Sequence, residues 1–152
     1  MQISRLSGLV VASLALLALA GAAEAIIIYD FPIFGLVNGA QTARINAVLS
    51  QPPEPDAPCP VTLTFIDAQG NQIGDPGLFE LRAGAAVQSD FIGDPNQRVG
   101  QRLAIRAQVT IGDPNTFLAC AGGVLASVEV IDRLTRATHL ILTTPVTREV
   151  TR

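Results

Sequence analysis

The sequence has no tryptophan and a single tyrosine, Tyr29. Proteins that bind carbohydrate on a β-sheet usually stack the sugar on flat, exposed aromatic rings. Most of the six phenylalanines lie in apolar stretches and are predicted to be core residues: Phe31, Phe34, Phe65, Phe79, Phe91 and Phe117. A small domain that binds a carbohydrate or another small ligand is therefore an alternative that nothing in the sequence favours.

A single histidine, His139, limits the catalytic arrangements that the chain could form. Serine catalysis would need this histidine beside a serine, but no nucleophile-elbow motif surrounds any of the candidates: Ser50, Ser89 and Ser127. The sequence also lacks a phosphate-binding loop and a dinucleotide fingerprint. We therefore predict a protein that is not an enzyme, with no catalytic residues, no cofactor and no resident metal.

Lysine is absent, so ten arginines supply all of the positive charge, and the net charge is −3. Nucleic-acid-binding domains usually carry a basic stripe, and a mildly acidic chain is not attracted to an anionic membrane surface. The composition therefore predicts neither nucleic acid nor a membrane surface as a partner. A protein or a cell-envelope surface is the partner that we expect.

The first 25 residues are typical of a secretory signal peptide. A short segment with Arg5 precedes the apolar run LVVASLALLALA, and Ala23-Glu24-Ala25 places small residues where signal peptidase reads them. An uncleaved membrane anchor is the alternative, but a spanning helix needs about 20 apolar residues and this run is shorter. We predict cleavage before Ile26, one domain over residues 26–152, and export to the periplasm or the exterior.

The two cysteines, Cys59 and Cys120, both lie in the predicted exported part. In an oxidising compartment an isolated pair is most simply a disulfide. Two free thiols, or one reactive thiol, form the alternative, although no other histidine or cysteine lies nearby in sequence to activate either of them.

The best-patterned segment is residues 101–111, QRLAIRAQVTI, in which apolar and polar residues alternate. This alternation is typical of a strand with one face on a core and one in water. Further strands are predicted over residues 26–34, 42–49, 61–66, 72–73, 79–81, 86–91, 122–131 and 139–143. No segment shows the period of an amphipathic helix. The predicted fold class is all-β, a single antiparallel β-sandwich of about 7–9 strands.

Because sequential strands are usually neighbours, residues 61–66 and 122–131 are predicted to flank the 101–111 strand on its two sides. Both would then run parallel to each other and start at the same end of one sheet. Cys59 and Cys120 lie just before those two starts, so the predicted topology and the predicted disulfide support each other. The pair 79–81 and 86–91 is predicted to form a further hairpin.

The polar face of the 101–111 strand is the candidate binding surface of the sheet. It carries a row of four residues: Arg102, Arg106, Gln108 and Thr110. A partner that binds the face of the sheet would contact this row. The alternative, which we favour, is that the row is simply exposed to solvent.

The tetrapeptide Ile-Gly-Asp-Pro occurs three times, starting at Ile73, Ile92 and Ile111. Each copy is predicted to leave a strand and enter a turn, because glycine, aspartate and proline all favour turns. The alternative is a calcium site from Asp75 and Asp94. Calcium needs six to eight oxygens and these segments are not rich in acids, so repeated turn chemistry is the favoured interpretation.

Several segments in order resemble small secreted bacterial proteins of uncharacterised function with an immunoglobulin-like sandwich. They are the signal peptide, G-A-Q-T-A-R at residues 39–44, P-C-P-V-T-L-T-F and D-A-Q-G-N within residues 58–71, and V-E-V-I-D after Cys120. The resemblance implies an architecture and carries no functional residues over. The chain departs from true immunoglobulin domains because it lacks a core tryptophan and a tyrosine corner, and because its cysteines precede strands predicted in one sheet.

The function predicted is that of an exported, non-enzymatic β-sandwich, acting as a structural or adhesive module of the bacterial cell envelope or exterior. The alternative is a subunit of a surface polymer. In that alternative the apolar residues 26–34 would complete a neighbour's sheet by β-augmentation, whereas they otherwise pack as the first strand of their own domain.

Overall fold

The computed structural model describes residues 25–50, 58–112, 123–143 and 145–151. These residues form ten strands and no helix. The strands are β1 Ala25–Asp30, β2 Phe34–Val37, β3 Gln41–Leu49, β4 Cys59–Asp67, β5 Gln72–Leu81, β6 Ala86–Phe91, β7 Arg102–Ile111, β8 Val124–Asp132, β9 Thr138–Leu142 and β10 Val146–Thr151. The predicted signal peptide lies almost wholly outside this part of the chain.

Two antiparallel sheets make up the fold. One has six strands in the order β10-β1-β7-β4-β5, with β2 also paired to β7, and the other has four in the order β6-β3-β8-β9. Alternate residues of both sheets enter one hydrophobic core. The rings of Phe65 in β4 and Phe91 in β6 bridge the two sheets with centroids 5.5 Å apart. The predicted all-β sandwich is therefore confirmed at this level.

The strand predicted at residues 101–111 is β7, and the predicted inward face is confirmed. Ile105, Ala107, Val109 and Ile111 are buried, and the residues between them are not. β4 flanks β7 as predicted, but the other side of β7 pairs with β1 and β2. The prediction that residues 122–131 flank β7 is wrong, because β1 and β2 fill that position and β8 pairs with β3 in the second sheet.

This correction also changes the interpretation of the cysteines. β4 and β8 begin at the same end of the sandwich as predicted, but they belong to different sheets. Cys59 is buried at the first position of β4. Cys120 lies outside the described residues, so the Cys59–Cys120 disulfide stays a prediction, now of a bond that would link the two sheets.

Pro32 divides the predicted first strand. β1 ends at Asp30 and β2 starts at Phe34, and both pair with β7. Proline has no N–H for a ladder, so the chain breaks its pairing there and then resumes it. Since β1 pairs with β10 on its other side, this strand packs within its own domain; its donation to a neighbouring subunit stays a prediction.

The strand count is ten and not the predicted 7–9. Two changes add one strand each to the nine predicted segments, and the joining of residues 72–73 and 79–81 into β5 removes one. Pro32 produces β1 and β2 from one predicted strand, and the C-terminal residues form β10 along the edge of β1. The pairing of β10 is not predictable from periodicity because its residues show little apolar alternation and are held mainly by a backbone ladder.

The first Ile-Gly-Asp-Pro copy lies inside β5, so the prediction that each copy enters a turn is wrong for it. Ile73 pairs with Phe65 and Gly77 pairs with Leu63, which leaves residues 74–76 as a bulge opposite Thr64. Gly74 has a φ of +69°, a conformation that glycine adopts without a Cβ penalty. The bulge joins the two short predicted segments, 72–73 and 79–81, into one strand.

The predicted hairpin of residues 79–81 with 86–91 is wrong. β5 pairs with β4 in the six-stranded sheet, whereas β6 pairs with β3 in the four-stranded sheet. The chain therefore crosses between sheets at residues 82–85, where Gly84 donates its N–H to the carbonyl of Leu49.

A polar cluster on the outer face of the six-stranded sheet fastens its edge strand β10 to β1 and β7. Asp30 accepts hydrogen bonds from the guanidinium of Arg148 and, at 2.8 Å, from the amide of Gln108. Burial opposes ionisation of Asp30, but these two hydrogen bonds and the charges of Arg148 and Arg106 outweigh it and hold the pKa of Asp30 below its usual value.

We expect Asp30→Asn to lower the free energy of unfolding by about 1–2 kcal/mol at neutral pH, because two hydrogen bonds lose their charged acceptor. A lowered pKa means that this stabilisation is present above about pH 4 and is lost as the pH falls through the pKa of the folded protein. Urea unfolding of the variant and the wild type should therefore converge at about pH 2.

The matched control for this prediction is Asp90→Asn. Asp90 pairs with Arg44 at 2.7 Å, but both side chains are about one-third exposed (34% and 30%), so the expected loss is below about 1 kcal/mol. Equal losses from the two variants at neutral pH would contradict the stronger role of Asp30.

Candidate functional site

Four connections meet at one end of the sandwich, which we call the loop end. It comprises the β4–β5, β2–β3, β6–β7 and β8–β9 connections: residues 68–71, 38–40, 92–101 and 133–137. Strand pairing brings them together, because β3 begins opposite the last residue of β8 and β7 begins opposite the last residue of β2.

Asn38 organises the longest of these connections, residues 92–101. Its side-chain N–H groups donate to the carbonyls of Asp94, Gln97 and Arg98 at 3.0–3.2 Å. Its side-chain oxygen accepts the N–H of Asp94 at 2.9 Å. Its backbone pairs with Gln101 and Gly100 at 2.8 Å. Asn38 is only 4% exposed and is the single buried polar residue in the described part of the chain.

Gly93 lies against this amide. An added Cβ there would fall 2.0 Å from the Asn38 side-chain oxygen, and φ is +135°. No other residue fits this position without moving Asn38. The 92–101 connection is therefore a rigid platform, although it has no regular secondary structure.

The loop end exposes three large aliphatic side chains. Ile92, Val99 and Leu134 are 52%, 83% and 92% exposed. Val99 packs over Gly39, where an added Cβ would lie 3.2 Å from a Val99 methyl group. Exposure of apolar surface costs free energy, and clustered exposure often marks an interaction site.

The β8–β9 connection presents Leu134 on a tightly bonded turn. The Asp132 carboxylate accepts the N–H groups of Leu134 and Thr135 at 2.9 and 2.7 Å, and also the hydroxyl of Thr135. These bonds outweigh the effect of desolvation and lower the pKa of Asp132, and the bonds from Thr135 have the largest effect. The turn rests on the β2–β3 connection, because Arg133 donates from its backbone to Ala40 and from its guanidinium to Gly39.

Arg136 has a φ of +62° and is the only non-glycine residue with positive φ among those described. The left-handed region disfavours a side chain by about 1–2 kcal/mol, and glycine or asparagine is the usual residue there. The turn therefore retains an arginine at a position where glycine would be more stable.

Charge at the loop end is unevenly balanced. It carries four arginines, Arg98, Arg102, Arg133 and Arg136, none of which forms an ion pair with another described residue. Its aspartates instead accept hydrogen bonds within their own turns. The Asp67 carboxylate accepts hydrogen bonds from Gln69 and Asn71. These bonds lower the pKa of Asp67, and the bond from the Asn71 side chain has the largest effect. Asp94 binds the N–H of Asn96. The guanidinium of Arg133 donates to the carbonyl of Gly39, so those of Arg98, Arg102 and Arg136 are the ones left available for a partner.

A groove of about 570 Å³ crosses the loop end. Small residues of the β2–β3 connection form its floor, Asp90 and Ile92 lie at one wall, and Asp132, Arg133, Leu134 and Arg136 lie at the other. We call it the loop groove. A second recess of about 260 Å³ lies between residues 67–69 and the 92–101 connection, and includes Arg102.

The predicted row on β7 lies on the outer face of the sheet, but its members differ in surroundings. Arg102 lies at the loop end beside the smaller recess. Arg106 is half-buried opposite Ile66, and Thr110 lies between Ile28 and Thr62. Gln108 is bonded to Asp30. Ala104 therefore separates Arg102 from the rest of the row, and Gln108 is engaged in holding β1.

Asp75 and Asp94 are the calcium candidates. Among the described residues there is no group of three or more side chains that could hold a metal ion. Asp75 lies in the β5 bulge, and the Asp94 carboxylate accepts the N–H of Asn96.

His139 lies 3.9 Å from Asp132. The candidate serines are engaged elsewhere, since Ser50 donates to the carbonyl of Gly123 and Ser127 accepts from Asn46. Ser89 lies on β6 opposite Ile45. The aromatic residues are mostly core as predicted: Phe31, Phe34, Phe65 and Phe91 are buried, Tyr29 and Phe79 are half-buried, and Phe117 lies outside the described residues.

The sequence contains signals for the loop end that strand periodicity does not reveal. Asn38-Gly39 predicts a turn, but nothing in that dipeptide indicates that the asparagine side chain binds a connection about 60 residues later. The second signal is Leu134, a large apolar residue between polar residues in a predicted turn, where an exposed side chain is expected.

Comparisons with protein families, with curated proteins and with solved structures find no match to this chain. In the part of the chain that the structure describes, there is no helix that is both long enough and apolar enough to cross a membrane.

Proposed function

We propose that this chain is an exported, non-enzymatic β-sandwich that acts through its surface as a structural or adhesive module of the bacterial cell envelope or exterior. The loop end is the surface that we assign to this role. The observation that carries the proposal is the exposure of Ile92, Val99 and Leu134 on a scaffold that Asn38 holds rigid. A rigid site loses little conformational entropy on binding.

Export is tested by purification from cell fractions of a bacterium that expresses the full chain. We expect the protein outside the cytoplasm with Ile26 as its first residue, measured by intact mass. A cytoplasmic product that retains residues 1–25 would contradict export. Hydrolytic turnover by the purified protein that His139→Ala abolishes would contradict the non-enzymatic assignment.

Surface action is tested by binding of the labelled mature chain to isolated bacterial envelopes. The loop-end variant Val99→Ser/Leu134→Ser should reduce the bound fraction at least about tenfold, because two buried aliphatic side chains contribute about 1–2 kcal/mol each at an interface. The control, Leu78→Ser/Ile141→Ser, removes exposed aliphatic residues from β5 and β9 instead. An equal reduction by both variants would contradict the assignment to the loop end.

A further inference from the structure

The first four residues of β8, residues 124–127, form an open edge of the four-stranded sheet. All four pair with β3 on one side, but β9 pairs with β8 on the other side only from Val128 onward. After Leu142 the chain leaves this sheet and enters β10 of the six-stranded sheet. Within the described part of the chain, residues 124–127 therefore have no strand on the side where β9 would continue.

A groove of about 580 Å³ lies against this edge. Residues of β3 and β8 line it from the four-stranded sheet, and Tyr29 of β1 and Thr147 of β10 line it from the six-stranded sheet. We call it the side groove. Its polar lining consists of four hydroxyl groups and one amide, and no charged residue lines it.

The side groove leaves part of the core incompletely covered. Ala126 pairs with Ala47 and faces the core with it, yet Ala47 is fully buried whereas Ala126 is half-buried. Tyr29 also packs against the core and is half-buried. On the outer face of β8, Leu125 is 63% exposed. A strand in the groove would cover these apolar surfaces, and such burial is favourable.

Strand edges that are exposed to solvent usually carry a feature that prevents further pairing. β5 has its bulge and Pro76, and β10 carries Arg148 and Glu149. Residues 124–127 are Val-Leu-Ala-Ser, with no charge and no proline, and their register with β3 is regular. This edge therefore has none of those protective features and can accept another strand.

We propose that the side groove binds an extended, uncharged segment of a partner protein, which adds to β8 as a strand beside residues 124–127. An extended backbone supplies the hydrogen-bonding groups that this edge lacks. Its alternate side chains would cover Ala126 on one face and Leu125 on the other. The segment is uncharged because the groove offers no ion pair to a charge that it buries.

The site accepts about four residues, which span about 13 Å at 3.3 Å per residue. It lies at the end of the sandwich opposite the loop end, because β8 starts there and ends at the 133–137 connection. The inference is therefore independent of the role proposed for the loop end.

The test uses a capped peptide, acetyl-Thr-Val-Thr-Val-Thr-amide, which is uncharged and rich in residues that favour strands. Hydrogen exchange is measured at the amides of residues 124–127. Successive amides of a strand point to opposite sides, so two of the four bond to β3 and two face the groove. The free protein should show two slow and two rapid amides. The rapid ones should slow about tenfold when the peptide occupies nine-tenths of the sites.

A peptide with proline in place of the central threonine is the control for the ligand. It lacks one backbone N–H, so it should protect neither of the rapid amides. Leu125→Asp should weaken binding of the first peptide about tenfold or more, because a charge replaces an apolar contact. The matched variant Leu78→Asp makes the same change on β5, where Leu78 is 74% exposed, and should bind the peptide as the wild type does.

Four outcomes would overturn the proposal. Protection of all four amides in the free protein would mean that the edge is already paired, as it would be if residues 113–122 covered it. Rapid amides that the peptide does not slow would show that no strand is added. Equal protection by the proline peptide would show binding without a backbone ladder. Equal weakening by Leu125→Asp and Leu78→Asp would place the peptide outside the side groove.

Discussion

Asn38→Ala is expected to lower the free energy of unfolding by about 3 kcal/mol. The substitution leaves the carbonyls of Asp94, Gln97 and Arg98 and one N–H without their partner, and each buried polar group left unsatisfied costs about 1–3 kcal/mol. Some of that cost is recovered where water reaches the loop end. Urea unfolding at neutral pH measures this free energy, and thermal unfolding should show a fall in the melting temperature of roughly 10 °C.

The control for this prediction is Asn46→Ala, the same chemical change on the outer face of the four-stranded sheet. Asn46 is half-buried and makes one long hydrogen bond, of 3.4 Å, to Ser127, so we expect a loss below about 1 kcal/mol. Equal losses from the two variants would contradict the organising role of Asn38.

An isosteric variant, Asn38→Asp, separates hydrogen bonding from packing. The aspartate side chain has nearly the same volume as asparagine. It places a carboxylate oxygen against three carbonyl oxygens, where the asparagine amide has its two N–H donors. Burial and those oxygens should raise the pKa of the new carboxyl, so the variant should recover stability as the pH falls. Stability that is independent of pH would show that packing alone matters at this position.

Cys59→Ala/Cys120→Ala is expected to lower the free energy of unfolding by about 4 kcal/mol. A disulfide between these residues closes a loop of about 60 residues, and the chain-entropy model gives this magnitude, from which native-state strain subtracts. Cys59 is 1% exposed, so a small cavity adds to the effect. Dithiothreitol should destabilise the wild type and leave the double variant unchanged.

Thiol titration in denaturant without reductant is the direct check on the pairing. The wild-type protein, prepared under oxidising conditions, should give no reactive thiol, and the reduced protein should give two, one for each cysteine in the sequence. Two thiols without reduction would contradict the disulfide, and the free-energy difference between wild type and variant should then be small.

Strand periodicity identifies the faces of the sandwich but not the neighbours of each strand. The inward residues of β7 are predictable because each inward position is apolar and the intervening ones are mostly polar. The neighbours depend on which strands occupy the free side of β7. β1 and β2 do so because the chain stops pairing with β7 at Pro32 and then resumes it. The alternation of apolar and polar residues does not predict this interrupted pairing.

The candidate site is not predictable from periodicity for a related reason. The row on β7 follows from a period of two, whereas the loop end depends on contacts between residues about 60 positions apart, such as Asn38 with Arg98. A turn asparagine and an exposed leucine are ordinary features when taken alone. They become a surface only when β2, β6 and β8 end at the same place.

The sequence alone therefore determined the all-β class, the inward face of β7 and the Asn38-Gly39 turn, since these depend on local side-chain alternation and backbone preference. Only the tertiary structure decided that β8 leaves the central sheet, that β10 closes the edge of β1, and that connections distant in sequence enclose the loop groove. Those outcomes depend on competition among strands for the same hydrogen-bonding edges, which is a property of the whole chain.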